Sequence, residues 1–200
     1  MANLEIQYPS GATPLSPDEV EGLIPDYITT QGELNELEQS NIQDAIIWLQ
    51  RRRPAEVLTL SFIFELHKRM FNQVWRWAGH SRRSDKNIGV SWTQISFQLA
   101  LLIEDTRFWI KSRTFPMDEI AVRFHHRLVQ IHLFPNGNGR HARLMTDLLL
   151  EDGGHSQFSW GTGVDFASLE AESPRRKRYI NALRLADQNQ YELLLLFVRS

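Results

Sequence analysis

The sequence predicts a mainly α protein, a helical bundle carrying one short β-hairpin. Three observations predict it. Apolar residues recur three and four positions apart through most of the chain, the rhythm of a single helix face. Capping residues and prolines stand where these runs begin, and glycines or prolines where several end. One stretch breaks the rhythm: after Arg82 it is polar, with Asn87, Gly89 and β-branched Ile88 and Val90, and it reads as a hairpin or flap.

Residues 1–29 read as an extended or weakly helical lead, punctuated by Pro9, Pro14, Pro17 and Pro25. Within it Ser16 can cap a short helix, with Pro17 in its first turn and Glu19 three residues on. Thr30-Gln31-Gly32-Glu33 has capping-box form, and Leu34, Leu37, Ile42, Ala45, Ile46 and Leu49 follow in helical rhythm until Pro54. Arg51, Arg52 and Arg53 read as a solvated end favoured by the helix dipole. A second helix covers Ser61 to Phe71 with Ile63, Leu66, His67 and Met70 inward; His67 reads as a hydrogen-bonded core histidine. Trp75 and Trp77 read as core packing. Ile95, Leu99, Leu102, Thr106 and Trp109 stripe a long helix. Ile120, Phe124, Leu128 and Ile131 stripe the next, which starts near Pro116. Leu144, Met145, Leu148 and Leu149 stripe another, stopped by Gly153 and Gly154. Ser156 to Gly163 is irregular. Ser173-Pro174 begins a helix through Ala186, and Tyr191 to Val198 makes a last apolar one.

Between the two central stripes lies His132-Leu133-Phe134-Pro135-Asn136-Gly137-Asn138-Gly139-Arg140-His141-Ala142-Arg143. It is a short loop that delivers the chain into a helix N-terminus, where unpaired amides and partial positive charge suit a phosphate. Gly137 and Gly139 let those amides curl round an anion. Arg140 and Arg143, three apart, share a helix face, and their planar forks match phosphate oxygens. His132 at the loop's start can accept a proton near neutral pH. The residues describe a polyphosphate cradle with a base at its lip. Read separately, Asn-Gly-Asn-Gly is an ordinary turn and two arginines on a helix are a solvated face; the ordered set is what points to chemistry.

This stretch resembles the Fic motif, His-x-Phe-x-x-Gly-Asn-Gly-Arg-x-x-Arg, at every fixed position from His132 to Arg143. Two positions depart from the usual pattern: Leu133 stands where Pro is common, and Asn136 where Asp or Glu is common. The chain as a whole is most similar to the Fic subfamily known as mobile mystery protein B. Leu58-Thr59, Glu65-Leu66-His67, Trp77-Ala78-Gly79 and Arg82 resemble the front of a Fic domain; Tyr179, Ala182-Leu183, Ala186-Asp187 and Tyr191 to Phe197 resemble its end. The resemblance implies a Fic-type bundle over 58–198, with 1–57 as an N-terminal extension and helix packed on it.

The resemblance also implies a function: a protein adenylyltransferase that moves AMP from ATP to a Tyr, Ser or Thr hydroxyl of a target protein. On that reading His132 is the catalytic base, Asn136, Gly137, Asn138, Gly139, Arg140 and Arg143 bind the nucleotide, and Tyr179 and Asn181 lie near its base. Phe134 anchors the floor of the loop. Lys86, Asn87, Ile88, Gly89 and Val90 form a flap that docks the target by strand addition. Mg²⁺ arrives mainly with ATP, Asn136 offering a weak neutral ligand. A glutamate that pairs with Arg143 holds many family members off; Glu33 is a loose match for it, and reads more readily as the residue that completes a helix cap with Thr30. Two other readings stay open: transfer of a different phosphate-containing group, and a binding module, partner of an antitoxin or regulator, with weak or no transfer.

Composition bounds the rest. Two hundred residues that are 42% hydrophobic suit one domain with an extension. A net charge of −2 implies no general pull toward nucleic acid or anionic membrane. The basic run Arg175-Arg176-Lys177-Arg178 reads as a solvated helix start. The absence of cysteine excludes disulfides, thiol catalysis and Cys-based zinc sites. His125 and His126 are adjacent on a helix, point apart and make no zinc pair with His132. No run is apolar enough to span a bilayer, and Met1 to Ser10 lacks the regions of a signal peptide, so the expected location is cytoplasmic.

Overall fold

The computed structural model describes residues 13–52, 54–161 and 173–200. The start of the lead through residue 12, Arg53 of the arginine run and the end of the irregular segment at Gly163 lie outside the described residues. The described chain is helical: α1 (Pro17–Val20), α2 (Gln31–Arg51), α3 (Leu60–Phe71), a 3-10 turn (Trp92–Gln94), α4 (Ile95–Ser112), α5 (Met117–Ile131), α6 (Asn138–Asp152), α7 (Pro174–Ala186) and α8 (Glu192–Val198).

The caps explain the boundaries. Thr30 Oγ1 accepts from Glu33 N at 3.2 Å while Glu33 Oε2 accepts from Thr30 N at 3.0 Å, a closed capping box that starts α2. Thr59 Oγ1 accepts from Phe62 N at 3.2 Å at the head of α3, and Ser173 Oγ from Arg176 N at 3.1 Å at the head of α7. Proline at the first position of α1 and α7 lacks only an amide that would have had no helical partner.

α5 is the hub. It packs against α6, α4 and α8, while α3 bridges α2 to α6, and α7 covers α8. Phe124, Leu128 and Ile131 on α5 and Leu144, Met145 and Leu149 on α6 are buried in one core with Leu34, Ile42 and Ala45 of α2. A second core joins Ala121 and Val122 of α5 to Phe158, Trp160, Tyr179, Leu194 and Phe197. Because both flanking helices of the loop are buried on several sides, the loop between them is held from below by the core.

The structure corrects one element. The stretch that was expected as a β-hairpin, Lys86 to Val90, makes no strand ladder; among the described residues the one bridge pairs Leu23 with Trp75. Side chains take the place of a ladder. Arg82 Nη1 donates to Ser84 O at 2.8 Å and its Nη2 donates to Val90 O, so one guanidinium satisfies both ends of the loop. Asp85 Oδ1 accepts from Trp92 N at 2.7 Å and closes its base. Alternating β-branched residues are insufficient when the backbone groups already have such partners.

Candidate active site

The loop from His132 to Gly137 is built to a fixed shape. α5 ends in His132, which takes left-handed backbone angles (φ 56, ψ 63) and turns the chain. A residue with a β-carbon resists that region, so the turn must be held by its surroundings. Asn138 holds it from the far side: its Oδ1 accepts from Phe134 N at 2.9 Å and its Nδ2 donates to Phe134 O at 2.8 Å. Phe134 is fully buried, and His67 lies flat on it with ring centroids 3.6 Å apart. Gly79 N donates to His67 Nδ1 at 3.0 Å, which leaves the proton on Nε2 to donate to Asn136 O at 3.0 Å. His67 is therefore a core histidine that pins the loop, and burial holds it well below the usual histidine range, in the neutral form this bond requires.

Gly137 is demanded twice over. Its φ is +78, and an added β-carbon would stand 2.6 Å from the Phe71 ring. It is the N-cap of α6, whose first turn carries no acidic side chain of its own beside its unpaired amides.

His132 stands at the head of the loop. It is 7% exposed, and no side chain bonds its ring nitrogens; the Val129 backbone lies near the ring without a bond of good geometry. Burial, and then the Arg82 charge, push it down to about 4, so the ring is neutral at physiological pH and able to take a proton. Arg140 and Arg143 are both buried, at 8% and 2% exposure, and Arg140 lies over the Phe71 ring at 4.8 Å. Arg140 Nη1 meets Glu38 Oε2 at 2.6 Å, and the other Glu38 oxygen accepts from Trp75 Nε1 at 2.6 Å.

Glu38 meets a motif arginine, and sequence reasoning missed it. Its signal was available: it stands on the buried stripe of α2 with Leu34, Ile42 and Ala45, where a carboxylate needs a partner. Glu33, named from the motif, is exposed, and its carboxylate accepts from Thr29 N, Thr30 N and Thr29 Oγ1, at 2.9, 3.0 and 3.2 Å. Those bonds hold its pKa below the ordinary carboxylate value and assign it to the cap.

The other expected residues divide. Gly89 brings the flap loop against the base: a β-carbon there would lie 2.7 Å from His132 Cβ. Ile88 is exposed beside it. The Lys86 ammonium, by contrast, is paired with Glu19 and donates to Pro14 O at 3.3 Å, so it straps the loop to the N-terminal segment. Asn136 Oδ1 accepts from Gly137 N at 2.6 Å, and the Asn138 side chain is spent on Phe134; the second serves the loop's shape. Tyr179 is buried with its hydroxyl 2.8 Å from His125 Nε2, and Asn181 opens onto a groove between α7 and α8 lined by Leu193, Leu196 and Phe197. His126 Nε2 meets Asp187 Oδ1 at 2.8 Å, so each of the adjacent histidines has its own partner. Among the described residues no three His, Asp or Glu groups gather as a metal site, and no helix is long and apolar enough to cross a membrane.

Comparison with known proteins agrees with this geometry. Residues 57–150 match the model of the Fic/DOC family. A protein adenylyltransferase Fic from Aedes aegypti is 26% identical over 147 residues, which is 72% of this chain and 27% of that protein. The chain thus spans about a quarter of the length of the curated relatives it matches. The N-terminal Fic domain of a Bartonella effector protein from Bartonella sp. AR 15-3 superposes with a TM-score of 0.68 at 18% identity, covering 90% of this chain and 89% of that one. A Bartonella quintana Fic domain with bound ADP superposes with a TM-score of 0.68 at 16% identity, over 87% and 86% of the two chains. With the motif intact and the bundle shared, residues 57–150 of this chain are similar to the Fic/DOC family, and the fold is that of the solved Fic domains.

Proposed function

We propose that the chain is a protein adenylyltransferase, transferring AMP from ATP to a Tyr, Ser or Thr hydroxyl of a target protein, and that Glu38 restrains it at rest. One observation carries the reading: a neutral His132 imidazole with no side-chain partner stands on the loop that opens into the N-terminus of α6, with Arg140 on its first turn. The Fic domain is taken as 58–198, with 1–57 as its extension.

The chemistry asked of these residues is modest. His132 accepts the proton of the acceptor hydroxyl as its oxygen bonds to the α-phosphorus, and the bond from that phosphorus to the bridging oxygen of pyrophosphate breaks. The amides at Gly137 to Gly139 and the forks of Arg140 and Arg143 hold the phosphates and offset the charge that develops. The donor set fits a triphosphate: a glycine turn, a helix N-terminus and two arginines, one of them paired at rest with Glu38. It fits Mg²⁺ only through ATP, because Asn136 supplies a neutral oxygen; the ion would neutralise phosphate charge. Val90 and Gly89 of the flap are the backbone against which the target strand would lie. Tyr179 and Asn181 are left out of this reading, since one is a core residue and the other faces the α7–α8 groove.

A second reading draws on the Glu38–Arg140 pair. With Arg140 engaged, the resting protein is a poor ATP binder, as a module awaiting a regulator or an antitoxin partner would be. The expected place of action is the cytoplasm.

Incubation with labelled ATP tests both readings. Label from α-labelled ATP but not γ-labelled ATP should appear on protein, and more of it with Glu38→Gly. Label from the γ position would mean phosphoryl transfer; none from either, in Glu38→Gly, would leave the binding module.

A further inference from the structure

We propose that Arg82 is a positioning residue that locks the flap in register with His132, so that an acceptor segment laid on the flap meets the imidazole at one fixed offset. This rests on the transfer reading above.

Arg82 follows α3 and is 1% exposed. Its guanidinium joins two segments far apart in the chain. On one side Nε donates to His132 O at 2.7 Å and Nη2 reaches Ile131 O at 3.4 Å; on the other, Nη1 donates to Ser84 O at 2.8 Å and Nη2 donates to Val90 O. Its backbone amide adds a bond to Leu133 O at 2.9 Å. The carbonyls of Ile131 and His132 end α5, where helix carbonyls lack partners and the dipole favours a cation. The carbonyls of Ser84 and Val90 bracket the flap, which has no ladder to hold it. Asp85 Oδ1 stands 3.7 Å from Nη1 and is the nearest counter-charge. One planar fork thereby fixes the strained turn of the base and the position of the flap together. Lysine could not, since a single ammonium cannot reach four acceptors in two directions.

Gly89 shows how tight the register is. Its φ is +101, and a β-carbon there would stand 2.7 Å from His132 Cβ and 3.0 Å from Arg82 Nη2. The flap therefore rests on the base and on its clamp at once, and moving one moves the other.

The test compares wild type with Arg82→Lys, Arg82→Gln and Gly89→Ala, using readouts that do not need transfer. Hydrogen exchange of the amides from 84 to 90 should speed by about 10-fold or more in each variant. NMR titration of the His132 ring should move upward in each, and furthest in Arg82→Gln, which also removes a charge. The charges acting on that ring are those of Arg82 and Lys86. ATP affinity should stay within about 2-fold, while transfer to a protein target falls by about 10²-fold, as a displaced base requires. Folded Arg82 variants with unchanged flap exchange and unchanged His132 titration overturn the proposal. If Arg82→Gln does not fold, Gly89→Ala decides it, because the guanidinium is retained and only the register is disturbed; unchanged exchange and titration there overturn it equally. A Glu38→Gly protein that transfers nothing refutes the adenylyltransferase reading, while exchange and titration still decide the role of Arg82.

Discussion

Glu38 of α2 and Arg140 of α6, 102 residues apart in sequence, meet at 2.6 Å with both side chains buried. Trp75 Nε1 fixes the second carboxylate oxygen. Removing one partner of such a pair leaves an uncompensated buried charge, a cost of about 3–5 kcal/mol. A polyphosphate could supply the missing negative charge. Glu38→Gly is therefore expected to melt earlier without nucleotide, to recover much of that loss with ATP, and to transfer AMP faster than wild type. Thermal melts with and without ATP, beside a label assay, check it. Transfer no faster than wild type would show that Glu38 is not the restraint.

Glu33 serves as the contrast. Its carboxylate completes the cap of α2 and lies at the surface. Glu33→Gly should lower the melting temperature slightly and leave transfer unchanged, and Thr30→Ala should cost about 1 kcal/mol. A sharp rise in transfer with Glu33→Gly would move the restraint to that residue.

His132 and Arg140 should separate chemistry from binding. His132→Ala is expected to lose about 10²–10⁴-fold in transfer, the usual contribution of a general base, with ATP affinity nearly intact. Arg140→Ala should weaken ATP binding by about 1.5–3 kcal/mol, a charged hydrogen bond's worth. Calorimetric ATP titration of both variants, paired with turnover, measures the split. His132→Ala at wild-type turnover would exclude it as the base.

Asn136→Asp tests the metal. Asn136 Oδ1 already accepts from Gly137 N at 2.6 Å, and it lacks the charge that a hard cation prefers. The substitution should reduce the Mg²⁺ concentration for half-maximal transfer, with His132 still required. An unchanged Mg²⁺ curve would put Asn136 away from the metal.

Stability should fall in acid above pH 4. Burial pushes His125 down to about 3 and His132 and His141 down to about 4, and it holds His67 well below its usual range. Between pH 6.5 and 4 these rings bind protons when unfolded but not when folded, so unfolding is favoured as pH falls. Asp147 acts oppositely: burial raises it to about 7, so its contribution is present below 3.8 and lost as pH rises through 7. Several histidines outweigh one carboxyl. The urea midpoint should drop from pH 7 to pH 4.5, and less steeply in His141→Gln. A flat or rising midpoint would mean that the rings are not buried in neutral form.

The sequence alone determined the helices and the place of the loop between two of them, because both are local. Caps at Thr30 and Ser173, apolar spacing on α5 and α6, and the run from His132 to Arg143 each act within a few residues of themselves. The flap was half legible. Its glycine and polar residues announced a loop, but pairing into a ladder depends on which groups reach its carbonyls, and Arg82 reaches them first. Tertiary structure alone decided which glutamate meets a motif arginine. Glu33 carries the motif-like spacing and Glu38 the position, since only the packing of α2 on α3 and α3 on α6 brings the inward face of α2 to Arg140. It likewise decided that Lys86 belongs to Glu19, that His67 pins Asn136, and that His132 loses its proton to burial. Desolvation and ion pairing depend on what surrounds a group in space, and neither spacing nor composition carries that information.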